Sequence, residues 1–398
     1  MRVLFWSETF WPRIGGVENL AACLLPALRT RGYEFAVVTW EDIALPDQIF
    51  YDGVPVYRFP FFSSPHRDGF EPILKYRREV AEIKKRFAPD LVHVNSFGRS
   101  VLFHLNTANI HPAPVLTTLH QALPDEAIQH DSLLGHLLRM TNWVTACSNA
   151  VLAHTQQLVP EIISYSSVIY NALERPNFDP QPVPFDPPRL LCLGRMVPEK
   201  GFDLALTAFA TVVEHFPRAR LVIAGEGTER ARLEQHAIDL ELTASVDFIG
   251  AVSPEGVARL LDQATLVMIP SRLEGFGLVA LEAAMMARPV VATRVGGLPE
   301  VVLHQKTGLL TQPDDPARLA EATLFLLRQP QTASMFGESA RRRAQEVFSF
   351  DCYVDGYDQL YQKITRRVPR ADFVKDCYAR THTPPTHGQV DASDHIKK

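Results

Sequence analysis

The chain has 398 residues, more than one hydrophobic core usually serves and comfortable for two domains. Apolar residues make up 46% and charged residues 21%, as in an ordinary globular protein, and a net charge of −5 argues against nucleic acid as the main partner. Cys23, Cys147, Cys192, Cys352 and Cys377 are scattered, with no CxxC and no Cys/His cluster, so neither a metal site nor a disulfide framework is expected.

In chain order, residues 3–6 are a short apolar run ending at Ser7, an opening strand too short for a signal peptide. No later run reaches transmembrane length, so a cytoplasmic location is expected. A loop with Pro12 and the pair Gly15-Gly16 follows, and then Val17, Leu20, Ala21, Leu24, Leu25 and Leu28 recur at helical spacing. Residues 35–40 read as the next strand. The opening is therefore a βαβ unit, whose ligands bind at the carboxyl ends of the strands. Gly15-Gly16 lacks the G-x-G-x-x-G spacing, which removes the main support for a nicotinamide dehydrogenase.

Residues 54–59, 91–94 and 115–119 are further strands, and residues 73–87 a helix. His120 ends one of those strands, where an imidazole faces a cleft more often than a core. The helix carries Lys75, Arg77, Arg78, Lys84, Lys85 and Arg86 against only Glu79 and Glu82. A solvated face is the plainer reading, and contact with an anionic membrane surface the alternative. Pro176, Pro180, Pro182, Pro184, Pro187 and Pro188 then preclude helix and sheet interior and form a stiff linker.

The second half opens with a strand at residues 190–193 and a loop running from Gly194 to Gly201. Arg195 and Lys200 lie five residues apart within it, a planar fork and a point charge suited to a diphosphate. A strand at residues 221–224 runs into Gly225-Glu226-Gly227, and strands follow at 246–249 and 266–269. Beyond the last lies Glu274-Gly275-Phe276-Gly277, a turn into a helix expected over residues 276–287. A strand that turns through glycines into a helix start offers backbone N–H groups to an anion. Glu282 lies two helical turns after Glu274; the bland alternative is that Glu274 only favours a helix start electrostatically. Residues 289–292 are a strand, followed by Gly296-Gly297 and Glu300. Helices are expected from about 316 to 346 and over about 350–364, and the tail from about 368 is read as mobile.

These segments, in this order, resemble retaining glycosyltransferases of the glycogen-synthase-like superfamily, in particular the large family 4. Pro12 to Glu18 resembles the family's P-x-x-G-G-x-E, and Gly194 to Gly201 its G-R-x-x-x-x-K-G in full. Glu274-x7-Glu282 with Gly275-Phe276-Gly277 resembles its signature turn, and residues 295–300 its G-G-x-x-E. Residues 168–174 resemble V-I-x-N-G-V-D, with Ala172 and Glu174 replacing Gly and Asp, and Gln121 stands where relatives usually carry Asp or Gly.

The resemblance implies an α/β, GT-B architecture: two facing Rossmann-like doubly wound domains with an interdomain cleft. The expected division is an acceptor-side domain over 1–170, a hinge over 171–188 and a nucleotide-sugar domain over 189–349. A helix over 350–366 crosses back, and 367–398 form the tail. By the same resemblance, His120 positions the donor sugar near its anomeric centre, and Arg195 and Lys200 take the leaving diphosphate. Glu274 orients sugar hydroxyls and Glu282 the ribose hydroxyls. Gly15, Gly16, Gly275, Phe276, Gly277 and Leu278 belong to the substrate-binding loops, and Glu226 lies near the base and ribose. The implied reaction is metal-independent transfer of a hexosyl or N-acetylhexosaminyl group from a nucleoside-diphosphate sugar, a co-substrate and not a cofactor, with retention. A nucleotide-sugar epimerase on the same scaffold, or a non-catalytic sugar-nucleotide-binding subunit, is the alternative. Acceptor choice is assigned to the loops around Phe10, Trp11 and Arg13 and over residues 66–70.

Overall fold

The computed structural model describes residues 1–366 except 14, 41–45, 62–70, 97 and 125–131. The 66–70 loop and the tail over 367–398 lie outside the described residues, and no helix among those described is long and apolar enough to cross a membrane.

Two sheets carry the fold. The first has eight strands, in sequence β1 (Arg2–Ser7), β2 (Glu34–Trp40), β3 (Gln48–Tyr51), β4 (Val54–Phe59), β5 (Leu91–Val94), β6 (Val115–Leu119), β7 (Trp143–Ala146) and β8 (Ser166–Val168). Their spatial order is β3-β4-β2-β1-β5-β6-β7-β8, parallel except for β3 against β4. The second sheet is wholly parallel, in the order β11-β10-β9-β12-β13-β14. Its strands are β9 (Arg189–Leu193), β10 (Arg220–Ala224), β11 (Val246–Gly250), β12 (Leu266–Ile269), β13 (Val290–Thr293) and β14 (Gly308–Thr311). Central strands such as β5, β7, β12 and β13 are buried along their whole length, as strands covered by helices on both faces must be.

The topology fixes where chemistry can occur. In each sheet the first strand sits inside, and the order reverses beside it, between β1 and β5 and between β9 and β12. A crevice opens at the carboxyl end of such a switch point. The residues following β1, β5, β9 and β12 are the loops on which the sequence places its glycines and charges.

The helix Phe350–Thr365 lies against the first domain. Tyr353, Tyr357 and Tyr361 are buried along it. Tyr361 Oη lies 2.6 Å from His93 Nδ1, His93 Nε2 lies 2.8 Å from Thr118 Oγ1, and Tyr357 Oη lies 3.3 Å from that same threonine. At the rim, Tyr33 donates to Asp358 at 2.6 Å and Arg31 pairs with Asp355 at 2.7 Å.

Three local expectations need correction. Strand β3 was not foreseen; it forms a hairpin with β4 through Asp52 and Gly53, both at positive φ (46° and 74°). The helix expected over 276–287 spans Leu278–Met285, because Gly277 holds φ 102° and breaks the helical path just before it. Lys84 is not part of a solvated face but is buried, with Nζ 3.0 Å from the His104 carbonyl and 3.2 Å from its Nδ1. Burial without a carboxylate lowers the Lys84 pKa to about 7.

Candidate active site

The glycine loops of the second domain stack on one another at the strand ends. Gly225 lies so close to the Gly194 carbonyl that a Cβ would sit 1.8 Å from it, and Met196 N donates to Glu226 O at 2.8 Å. This ties the loop after β9 to the loop after β10. Within the first, a 3-10 turn over Pro198–Lys200 ends at Gly201, φ 64°, and turns Lys200 inward. Its Nζ lies 2.6 Å from Glu274 Oε2, with both side chains mostly shielded (21% and 15% exposed). The cation expected on the diphosphate and the carboxylate expected on the sugar thus meet each other.

Arg195, on the same loop, is exposed and makes no ion pair or side-chain hydrogen bond among the described residues. Glu226 is committed to Arg230 at 2.5 Å. Glu282, one turn into its helix, makes no ion pair or side-chain hydrogen bond among the described residues, and burial raises its pKa to about 7.

The first domain meets this cluster at the carboxyl ends of its strands. A Cβ on Gly275 would come within 2.0 Å of the His120 carbonyl oxygen, so only glycine lets the two loops touch. Ser148 Oγ donates to the Gly275 carbonyl at 2.7 Å. Gly16, at the start of the first helix, packs on Leu278, where a Cβ would sit 2.6 Å from the leucine methyl. His120 Nε2 lies 3.2 Å from Asn95 Oδ1, and burial lowers the histidine pKa to about 4, the Asn95 bond opposing. Gly15 caps the first helix. The Phe276 ring packs against Phe348 and Tyr170, centroids 5.5 and 6.1 Å away, so only its backbone is left to the site. His120, Lys200, Glu274, Gly275 and Leu278 are therefore brought together from both sheets.

Arg272, which the sequence gave no reason to single out, and Glu300, singled out only as the last residue of the G-G-x-x-E stretch, build the frame. Arg272 grips Asp203 with both terminal nitrogens (2.9 and 2.8 Å), holds Asp314 with Nε at 2.6 Å, and donates its backbone N–H to Glu199 O at 2.7 Å. That brace fixes the turn bearing Glu274 against the loop bearing Lys200. Glu300 reaches across to the first domain and accepts from Asn149 N (2.9 Å), Ala150 N (2.9 Å), Asn149 Nδ2 (2.8 Å) and Tyr170 Oη (3.0 Å). A carboxylate there also meets the positive end of the helix Asn149–Leu158. Glu300→Ala is expected to lower the unfolding free energy by about 2 kcal/mol, the scale of charge-assisted hydrogen bonds. Urea unfolding at neutral pH checks this, and a loss under about 0.5 kcal/mol would mean the bridge carries no net stability.

Residues 14–175 match the model described as Glycosyltransferase Family 4, and residues 174–343 the model described as Glycosyl transferases group 1. The chain is 28% identical over 380 residues to N-acetyl-alpha-D-glucosaminyl L-malate synthase of Bacillus anthracis, covering 90% of this chain and 96% of that one. Among solved structures, a sucrose-phosphate synthase from Thermosynechococcus elongatus superposes with a TM-score of 0.79 at 23% identity, covering 92% of this chain and 100% of that one. Anabaena HepE in complex with UDP-glucose gives 0.74 at 21% identity, covering 92% and 100%.

Proposed function

The chain belongs to glycosyltransferase family 4, on the GT-B fold, and we propose that it transfers the sugar of a nucleoside-diphosphate sugar with retention at the anomeric carbon and without a metal ion. The observation that carries this reading is the meeting of the Lys200–Glu274 pair with the His120 strand end through Gly275. Two domains contribute to one small volume, one with charges and one with a neutral imidazole.

The arriving diphosphate competes for Lys200. The ammonium turns from the Glu274 carboxylate to the phosphate oxygens, and the freed carboxylate accepts from sugar hydroxyls. Arg195, exposed on the same loop, adds its fork to the leaving group. The acceptor hydroxyl oxygen attacks C1 on the face the nucleotide leaves. The C1–O bond to the β-phosphate breaks, and the hydroxyl proton passes to a β-phosphate oxygen. Cations fixed beforehand at that oxygen lower the barrier without reorganising during the step. His120, kept neutral at physiological pH, acts as a hydrogen-bonding group toward the sugar and not as a proton donor.

The test has two stages. Thermal shift against UDP-, GDP- and ADP-sugars identifies the donor, because a bound ligand stabilises by RT ln(1 + [L]/Kd). Product from an acceptor panel is then read by the anomeric proton coupling, with free nucleoside diphosphate expected only when acceptor is present. An inverted product removes the same-face mechanism. Nucleotide binding with no turnover across the panel favours a binding subunit, and a recovered epimer favours an epimerase.

A further inference from the structure

Two polar atoms at the junction of the domains are buried and unbonded, and they belong to one hydrogen-bonded pair. Asn95 follows β5 and His120 follows β6, neighbouring parallel strands, with Asn95 beside the switch point between β1 and β5. The Asn95 side chain is 2% exposed. Its Oδ1 accepts from His120 Nε2 at 3.2 Å, while Asn95 Nδ2 and His120 Nδ1 have no partner among the described residues. The other buried polar side chains of this sheet edge are paired, among them Ser7 with Ser96 and His93 with Tyr361 and Thr118. An amide and an imidazole left half-bonded in a shielded place mark where a ligand's polar groups complete the bonding.

We infer that Asn95 positions His120 for transfer: its amide oxygen holds the ring as the Nε2–H tautomer, leaving a Nδ1 lone pair and the Asn95 Nδ2–H to meet hydroxyl oxygens of the donated sugar. One lone pair and one N–H make the complement of a hydroxyl group, which both gives and takes a hydrogen bond. His93, buried and held neutral by desolvation, couples to this imidazole but brings no charge of its own to compete with the amide in setting the proton's place. This inference rests on the transferase reading above.

The experiment uses the full chain labelled with 15N-histidine, the His120 signals being assigned by their loss in His120→Gln. The wild type shows Nε2–H. Asn95→Ala is expected to mix the two tautomers, to lower turnover at least tenfold, and to weaken UDP-glucose binding at least fivefold while UDP binding stays within twofold. If the donor screen selects another base, the matching diphosphate and sugar nucleotide replace that pair. Asn95→Asp keeps the acceptor oxygen and lacks the amide N–H, so it restores the tautomer but not the sugar-dependent affinity. An Asn95→Ala chain that keeps the Nε2–H tautomer, or that loses UDP and UDP-glucose equally, overturns the proposal. Failure of every sugar nucleotide to bind the wild type would instead count against the transferase reading, with the tautomer measurement still standing on its own.

Discussion

Replacing Lys200 by alanine lowers acceptor-dependent turnover by at least about tenfold at saturating donor. A charge-assisted hydrogen bond contributes about 1.5–3 kcal/mol, and 1.36 kcal/mol is a factor of ten in rate. The same substitution also acts on the free protein. It leaves the Glu274 carboxylate with only Ser271 Oγ, at 3.4 Å, in place of an ammonium at 2.6 Å. Stability is therefore expected to fall by about 1–3 kcal/mol, since removing one partner of a shielded pair strands the other. Arg195→Ala provides the contrast. That side chain is exposed and has no ion pair or side-chain hydrogen bond among the described residues, so its loss should slow transfer about tenfold with unfolding unchanged. A Lys200→Ala, Glu274→Ala double variant separates the terms, because the stranded charge vanishes while the rate defect stays. A folded Lys200→Ala enzyme with full turnover would remove the lysine from the phosphate site.

Glu282→Gln is expected to abolish a pH dependence that the wild type shows in donor binding. Burial lifts this carboxyl from 4.5 to about 7, so near neutrality about half of the free protein carries it protonated. Ribose hydroxyls donate hydrogen bonds, so they favour the ionised form. Affinity for the nucleotide should then fall about tenfold between pH 8 and pH 6, with the fall setting in as the pH drops through about 7. The glutamine variant should bind weakly and almost uniformly across that range. Its stability moves the opposite way. Above pH 7 the wild-type carboxylate is ionised in a place that disfavours the charge, a penalty on the order of 3 kcal/mol that vanishes as pH falls to about 4.5. Glu282→Gln should accordingly raise Tm at pH 8, with the gain shrinking toward acid pH. Calorimetric titration and thermal unfolding from pH 6 to 8 read both effects, and parallel pH curves for variant and wild type would rule out Glu282 as the titrating group.

The sequence-readable part of this molecule is the part written in short-range pattern. Strand, glycine loop and helix follow one another so regularly that two parallel-sheet domains are legible beforehand. The hairpin of β3 was also written there, in Asp52-Gly53, a pair that favours positive φ and marks a two-residue turn. What no local pattern carries is partnership at long range. Lys84 reads as one more cation on a basic helix until His104 is seen against it, and Glu300 reads only as the end of a glycine motif until Asn149 and Tyr170 close on it. Lys200 and Glu274 were assigned separate tasks from motifs 74 residues apart; only the fold makes them neighbours.

Tyr357 and Tyr361 complete a polar cluster whose other members, His93 and Thr118, lie in the first third of the chain. During synthesis, that early segment leaves the ribosome long before the aromatic rungs that cover it. The packing on this face of the opening sheet is therefore complete only once a helix encoded far downstream has arrived.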